Sequence, residues 1–333
     1  MGYKIAILGA TGAVGTEMLK CIEEYKIDVD EMRLLASKRS AGKKIQFMGK
    51  ELTIQEATKD SFTGCDFVLG AAENNISEMF VDDIVKSGAV YIDNSSAFRL
   101  REDVPLVVPE VNGEDAFMHH GIIANPNCVT IIALMAVGPL NKISPITSMI
   151  ASSYQAVSGA GHQGLEELEK QEAALAKGEP IECETFATQI LRNCIPVIGG
   201  YKDNGYTSEE MKLQNEGRKI LHNDEMKVAC TCVRVPVMRS HSIAITVRTK
   251  EKISIADATK AINAFPGVHV TEDIDGRDYP TPLDTTDQND VYVGRIRDDL
   301  TDEKGLCLWC CGDQIRKGAA ANAVQIMNLL IKS

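Results

Sequence analysis

Ten cysteines are spread over 333 residues, and one of them stands where a thiol can do chemistry. Cys128 closes Asn125-Pro126-Asn127-Cys128 and opens an apolar helical run, Val129 to Leu140. At a helix N-terminus, unpaired N–H groups and the helix dipole stabilise a thiolate. The same N–H groups, with the side-chain amide of Asn127, suit an oxyanion formed when that thiolate attacks a carbonyl. The other use of such a position is a small buried hydrophobe, which most cysteines are, and placement alone does not separate the two. The remaining nine are plainer. Cys307-x-x-Cys310 has no second pair and no ligand-spaced histidine, so no metal site is read.

Other residues in the second half could serve such a thiol. His241 is an acid/base or a hydrogen-bonded structural histidine, and the sequence leaves both open. Arg234 lies seven residues earlier, a spacing that on one regular strand faces the two side chains apart. They converge only if the segment around Pro236 turns. Glu209 and Lys212 share a helix face three residues apart, which by itself reads best as an ordinary surface pair. Gln155-Ala156-Val157-Ser158-Gly159-Ala160-Gly161 ends a predicted strand in a glycine turn able to lie against a flat ligand. Asp273-Ile274-Asp275-Gly276 is out of register with a calcium loop and is not read as one.

The elements that must position these groups are legible in outline. Lys4-Ile5-Ala6-Ile7-Leu8 is a short apolar strand running into Gly9-Ala10-Thr11-Gly12-Ala13-Val14-Gly15 and then a helical pattern with Met18, Leu19 and Ile22. Strand, glycine turn and helix suit a pyrophosphate, although the spacing is G-x-x-G-x-x-G rather than G-x-G-x-x-G and a tight turn with no ligand is the alternative. The second strand, Met32 to Ala36, ends in Ser37-Lys38-Arg39-Ser40 rather than in the acid that holds a ribose 2′-hydroxyl. Two cations and two hydroxyls suit a 2′-phosphate, which reads as NADP; the segment alone also reads as a solvated basic loop. Asp66 to Ala72, Ala89 to Asp93 and Gly121 to Ala124 read as further buried strands, with a helix at Ser77 to Ser87. The pattern implies an α/β chain with a parallel, doubly wound sheet. Beyond Pro145 the predicted strands are Ile146 to Val157, Lys227 to Val235 and Ser242 to Thr249. Helices are predicted over Gly164 to Lys177, read as a solvated charged face, Thr207 to Leu221, Ala256 to Phe265 and Gly318 to Ile331.

Composition narrows the partners. A net charge of −12 argues against a broad nucleic-acid footprint. The longest strongly apolar stretch, Val129 to Val137, is too short to cross a bilayer. With no export signal read, the expected compartment is the cytoplasm, where most thiols stay reduced.

Taken together the chain resembles the aspartate-β-semialdehyde dehydrogenase family. The likeness rests on the glycine loop, Asp93-Asn94-Ser95-Ser96-Ala97-Phe98-Arg99, Val107-Val108-Pro109-Glu110-Val111-Asn112, Asn125-Pro126-Asn127-Cys128, Tyr154 to Gly161, Tyr279-Pro280-Thr281-Pro282-Leu283, Val293-Gly294-Arg295-Ile296-Arg297 and Gly318-Ala319-Ala320-Ala321-Asn322. It implies an N-terminal Rossmann-type domain, residues 1–127 with 315–333, and an α+β catalytic and dimerisation domain, residues 128–314. It also implies a homodimer or a dimer of dimers.

The resemblance further implies roles. Cys128 would be the nucleophile, Gln155 would orient the substrate and thioacyl group, and His241 would be the general acid/base. Glu209 would hold the substrate amino group and Arg234 its α-carboxylate. Arg99 and Lys212 would hold the phosphate, with Asn127 nearby. Gly9, Thr11, Gly12, Ala13, Val14, Ser37, Arg39 and Ser40 would hold NADP, and Ser158, Gly159 and Asn322 would lie toward its nicotinamide end. Two positions depart from the family pattern. Val129 replaces a hydroxyl residue after the nucleophile, and Glu73-Asn74-Asn75 replaces a Gly/Ser-rich stretch beside the cofactor.

The implied reaction is reductive dephosphorylation of L-aspartyl-4-phosphate through a thioester, serving lysine, threonine and methionine synthesis. The rivals are N-acetyl-glutamyl-phosphate reductase, whose nucleophile sits in a Gly-Cys-Tyr-Pro-type context, glyceraldehyde-phosphate dehydrogenase, with Ser-Cys-Thr-Thr-Asn, and a catalytically silent NADP-binding scaffold or redox sensor. Asn127-Cys128-Val129-Thr130 matches neither rival motif.

Overall fold

A computed structural model describes residues 2–271 and 275–333. Asp273 and Ile274 of the segment set aside as a calcium loop lie outside the described residues. The chain divides into two compact units, Met1–Asn127 with Ala319–Ser333, and Cys128–Gly318.

In the first unit, β1 (Tyr3–Leu8), β2 (Val29–Ala36), β5 (Gln55–Glu56), β6 (Phe67–Gly70), β7 (Val90–Asp93) and β8 (Ile122–Ala124) form a sheet in the order β5-β2-β1-β6-β7-β8. Every pairing in it is parallel. A short antiparallel pair, β3 (Lys44–Phe47) and β4 (Lys50–Thr53), stands apart. Parallel strands are covered on both faces, which is why Ile5, Ala6, Ile7 and Leu8 are all buried in succession. The strand order reverses at β1, so the crevice beyond its C-terminal end is a topological switch point, where open α/β sheets bind ligands. Helices α1 (Ala13–Glu24), α2 (Asn74–Lys86) and the short α3 (Pro109–Asn112) follow in the chain. The last helix, α9 (Ala321–Ile331), packs on α1, β6 and β7. Its Val324 and Met327 join Ile5, Ile7, Leu69 and Ile92 in one core. This helix is predicted from Gly318 but begins at Ala321, because residues Arg316–Ala320 form a π-turn in which the Gly318 N–H reaches back to the Asp313 carbonyl.

In the second unit, β9 (Ile146–Gln155), β10 (Lys227–Arg234), β11 (His241–Thr249), β12 (Val268–Val270), β13 (Val291–Asp298) and β14 (Gly305–Gly312) form a mixed sheet, order β10-β9-β11-β14-β13-β12. Helix α4 (Cys128–Ile143) packs on β9, β11, β13 and β14, while α6 (Ser208–Ile220) packs on β10 and α7 (Ile255–Asn263) on β12 and β13. Helix α4 is apolar all round and buried from Val129 to Leu140, as a helix without a solvent face must be. A capping box sets the start of α6: the Glu210 N–H donates to Thr207 Oγ1 and the Thr207 N–H to the Glu210 carboxylate. The other Glu210 oxygen accepts from the Cys232 N–H, pinning α6 to β10. Along β9, Met149, Ala151 and Ser153 are buried while Ile150 and Tyr154 are exposed, so one sheet face carries the helices and the other stands open. Helix α5 (His162–Lys177) and the short α8 (Pro282–Thr285) complete the unit.

Candidate active site

The candidate residues fall in both units. In the second unit, Cys128 is the first residue of α4 and is partly buried. No disulfide links any of the ten cysteines. A Cβ on Gly318 would lie 2.8 Å from the Cys128 Cβ, so only glycine leaves the nucleophile candidate its space.

Arg234 ends β10, opposite Gln155 of the parallel β9, and His241 begins β11 on the other side of β9. The link between them, Val235 to Ser240, crosses the end of β9. There the Val157 N–H donates to the Val237 carbonyl at 2.8 Å and the Ser158 N–H to that of Met238 at 3.3 Å. Ser240 takes a left-handed φ of 75° to finish the crossing, a conformation costing a non-glycine residue about 1 kcal/mol or more. Its N–H is held by Gln314 Oε1 at 2.7 Å, and Gln314 Nε2 donates to Ser158 Oγ.

The crossing brings Arg234 and His241 to one residue. The Ala156 N–H donates to His241 Nδ1 at 3.1 Å, and the Ala156 carbonyl accepts from Arg234 Nη1 at 2.6 Å. With Nδ1 an acceptor, a neutral His241 ring carries its proton on Nε2. That nitrogen is buried and has no hydrogen-bond partner among the described residues. Burial, and secondarily the Arg234 cation, pull the His241 pKa down to about 3, so the ring is neutral near pH 7. Burial likewise lowers the pKa of Arg234. A Cβ on Gly159 would stand 2.7 Å from Arg234 Nη1 and 3.4 Å from His241 Cε1, so the glycine turn packs directly on this pair. Gln155 is buried, with Nε2 donating to Ser153 Oγ at 3.2 Å. Glu209 and Lys212 form an ion pair of 2.8 Å on α6, with the Glu209 side chain only 11% exposed.

The first unit holds the glycine loop and Arg99. Gly9 adopts φ 92°, and a Cβ there would meet the Ala71 carbonyl oxygen at 2.5 Å. A Cβ on Gly15 would meet the Gly9 carbonyl oxygen at 2.4 Å, so both glycines answer to close packing of strand on helix. Gly12 caps α1 with no side chain on its N–H groups, and Thr11 and Gly12 are exposed while Ala13 and Val14 are half-buried. This uncapped, accessible helix start fits a pyrophosphate. Ser37, Lys38 and Arg39 are exposed in the turn after β2, closed by the Ser40 N–H on the Ser37 carbonyl, and fit a 2′-phosphate. Glu73 is exposed at the start of α2, where Asn74 bonds Ser96.

Arg99 is buried. Its Nε donates to the Asn125 carbonyl at 2.9 Å and its Nη2 to the Asn94 carbonyl at 2.7 Å. A relay of amides backs it: Asn125 Nδ2 donates to Asn94 Oδ1, and Asn322 Nδ2 to Asn125 Oδ1 and the Val107 carbonyl. Asn322 and Asn127 are both buried. Ala156 and Gly318 stand in motifs of the sequence, but sequence reasoning assigns neither them nor Gln314 a part in the site. The first acts through its backbone, and the other two matter only by what lies beside them. Among the described residues no helix is long and apolar enough to cross a membrane.

Residues 4–119 match the family profile described as "Semialdehyde dehydrogenase, NAD binding domain", and residues 137–317 match "Semialdehyde dehydrogenase, dimerisation domain". The chain is 46% identical over 329 residues to an aspartate-semialdehyde dehydrogenase of Synechocystis sp., covering 99% of this chain and 97% of the relative. It is 45% identical to one of Bacillus subtilis, covering 99% and 98%. Among solved structures, aspartate semialdehyde dehydrogenase II of Vibrio cholerae complexed with ASA superposes with a TM-score of 0.97 at 41% identity, over 100% of this chain and 99% of the other.

Proposed function

The chain belongs to the aspartate-semialdehyde dehydrogenase family, and on that premise we propose that it carries out NADP-dependent reductive dephosphorylation of L-aspartyl-4-phosphate to L-aspartate 4-semialdehyde, and the reverse, through a thioester on Cys128. The observation that carries this reading is the pairing of Arg234 and His241 on the two polar groups of Ala156, in the same unit as a thiol at a helix start. A cation for a carboxylate and a hydrogen-bond donor for a nascent oxyanion are what a nucleophilic cysteine needs on this substrate.

In the forward direction the Cys128 thiolate attacks the acyl phosphate carbon. The C–O bond to phosphate breaks, the leaving phosphate takes up a proton, and a thioester remains. Arg99 and Lys212 receive the phosphate, with Asn127 nearby, while Arg234 takes the α-carboxylate, Glu209 the ammonium, and Gln155 orients the acyl group. A nicotinamide cofactor, when bound, would supply the hydride that reduces the thioester. His241, neutral and protonated on Nε2, offers a hydrogen bond to the oxygen that becomes negative, as the neutral-imidazole electrophile of other enzymes does. Collapse of the tetrahedral alkoxide then breaks the C–S bond and returns the thiolate.

Gly9, Thr11, Gly12, Ala13 and Val14 would hold the pyrophosphate and Ser37, Arg39 and Ser40 the 2′-phosphate, with Ser158, Gly159 and Asn322 toward the nicotinamide. The preference for NADP rests on the exposed cationic turn after β2 and the missing acid there. The dimerisation-domain match supports a homodimer in this family role in amino-acid biosynthesis. The test is phosphate-dependent reduction of NADP by purified enzyme, with aspartate semialdehyde and N-acetyl-glutamate semialdehyde compared, and NAD alongside NADP. Preference for aspartate semialdehyde with NADP is expected. Preference for the acetylated substrate, or no phosphate-dependent turnover, overturns the reading.

A further inference from the structure

Helix α5 reads in sequence as a charged, solvated face, yet two of its polar side chains, Glu167 and Gln171, are 3% and 1% exposed. They lie one turn apart and point into an irregular segment running from Glu182 to Ile195. Glu167 Oε2 accepts the backbone N–H of Glu184 at 3.1 Å, of Thr185, and of Phe186 at 3.3 Å. Its Oε1 accepts from Gln171 Nε2 at 3.1 Å. Gln171 Oε1 accepts the N–H of Ile190 at 3.2 Å and of Leu191 at 3.0 Å, and its Nε2 also donates to the Glu182 carbonyl at 3.0 Å. A segment with neither helix nor strand to satisfy these backbone groups has them satisfied by two side chains.

The segment so held reaches Arg234 twice. The Phe186 ring centroid is 6.0 Å from Arg234 Cζ, within cation–π range of a largely desolvated guanidinium. Further on, Ile195 and Arg234 exchange both backbone hydrogen bonds, at 2.9 and 2.8 Å. Between these contacts, Ile190 and Leu191 pack with Val157 and Leu168 in a small core that Phe186 and Ile195 also touch.

We propose that Glu167 is a positioning residue for substrate binding: with Gln171 it clamps the Glu182–Ile195 strap, whose Phe186 and Ile195 hold Arg234 in place for the substrate carboxylate. The proposal rests on the reading of Arg234 as the carboxylate ligand. The chemistry demands an acid at 167. The orientation of Gln171 is set by the two N–H groups on its oxygen, so its Nε2 faces position 167, and a glutamine there would oppose donor to donor. An isosteric change therefore loosens the clamp with little change of volume.

Steady-state kinetics of the full-length enzyme in the oxidative direction test this, with KM measured separately for semialdehyde, phosphate and NADP. Glu167→Gln and Phe186→Leu should each raise the semialdehyde KM by about tenfold, while the KM for NADP and phosphate stay within twofold. Phe186→Tyr, which keeps the ring face, should restore the semialdehyde KM. In an Arg234→Ala background, Glu167→Gln should add less than twofold, because its effect passes through the missing guanidinium. If Glu167→Gln does not fold, as circular dichroism would show, Phe186→Leu decides. Equal rises in all three KM values, or an unchanged semialdehyde KM when Arg234→Ala raises it, overturn the clamp and leave Arg234 as ligand. An Arg234→Ala enzyme with normal semialdehyde KM overturns the reading of Arg234 and the clamp with it.

Discussion

At the scale of single residues, the proposed chemistry turns on one backbone group. By donating to His241 Nδ1, the Ala156 N–H sets the proton on Nε2 and suits the ring to give a hydrogen bond rather than take a proton. His241→Ala is expected to lower kcat by about 10²–10³-fold, the loss on removing one oxyanion donor, and a loss below threefold would remove His241 from the mechanism. Its pKa near 3 also ties it to stability. Below the ordinary histidine pKa, about 6.5, the unfolded chain binds a proton that the folded ring refuses. Stability from this group is therefore complete above pH 6.5 and drains away as pH falls toward 3, by up to about 1.4 kcal/mol per pH unit. Urea unfolding of His241→Gln should show a shallower decline over that window than wild type; identical slopes would show that the ring is not held neutral. Cys128→Ala should lose at least about 10³-fold in turnover with NADP binding intact, and near-wild-type turnover would exclude the thioester.

At the scale of elements, the candidate residues sit where helices and strands end. Cys128 opens α4, Arg234 closes β10, Gln155 closes β9 and His241 opens β11. Each takes its place from a terminus: Cys128 stands at a helix start, where N–H groups lack intrahelical partners, and Arg234, Gln155 and His241 stand where three adjacent strands end. The π-turn at Arg316–Ala320 belongs to the same logic, since it presents Gly318 flat against Cys128. In Gly318→Ala the new methyl, 2.8 Å from the Cys128 Cβ, must displace the thiol. A drop in kcat of roughly 10–100-fold is expected, the scale of loss for an ångström-level misplacement, with NADP affinity within twofold. Normal kcat would mean that the turn yields without moving Cys128.

At the scale of the whole molecule, an acidic chain keeps its useful cations local. Arg99, Arg234 and Lys212 are half-buried or buried, where a charge acts more strongly than on the surface. The open face of the second sheet carries Ile150, 50% exposed, and Tyr154, whose ring lies 5.6 Å from that of Trp309. A sheet face of this character in a dimerisation domain is the surface proposed for homodimer contact. Tyr154→Glu places a charge there and should shift the enzyme toward monomer in sedimentation velocity. A variant with the wild-type sedimentation coefficient would move the interface elsewhere.

The sequence by itself determined the local architecture and nominated the candidate reactive groups. The strand–glycine–helix start, the parallel α/β half and Cys128 at the head of an apolar helix are written in residues close together in the chain, through period, turn chemistry and capping. The charged face of α5 is solvated as read, with Glu166, Glu169, Lys170 and Glu172 exposed, but the burial of Glu167 and Gln171 was not legible, because they have the types and spacing of a surface helix and their burial depends on a strap that follows the helix in the chain. Glu209 with Lys212 read as an ordinary surface pair for the same reason. Only the tertiary structure decided that Ala156 joins Arg234 and His241, that the Val235–Ser240 link crosses the end of β9, and that Gly318 lies against Cys128. These are meetings of segments separated by tens to nearly two hundred residues, set by sheet register and close packing, for which no nearby residue leaves a mark.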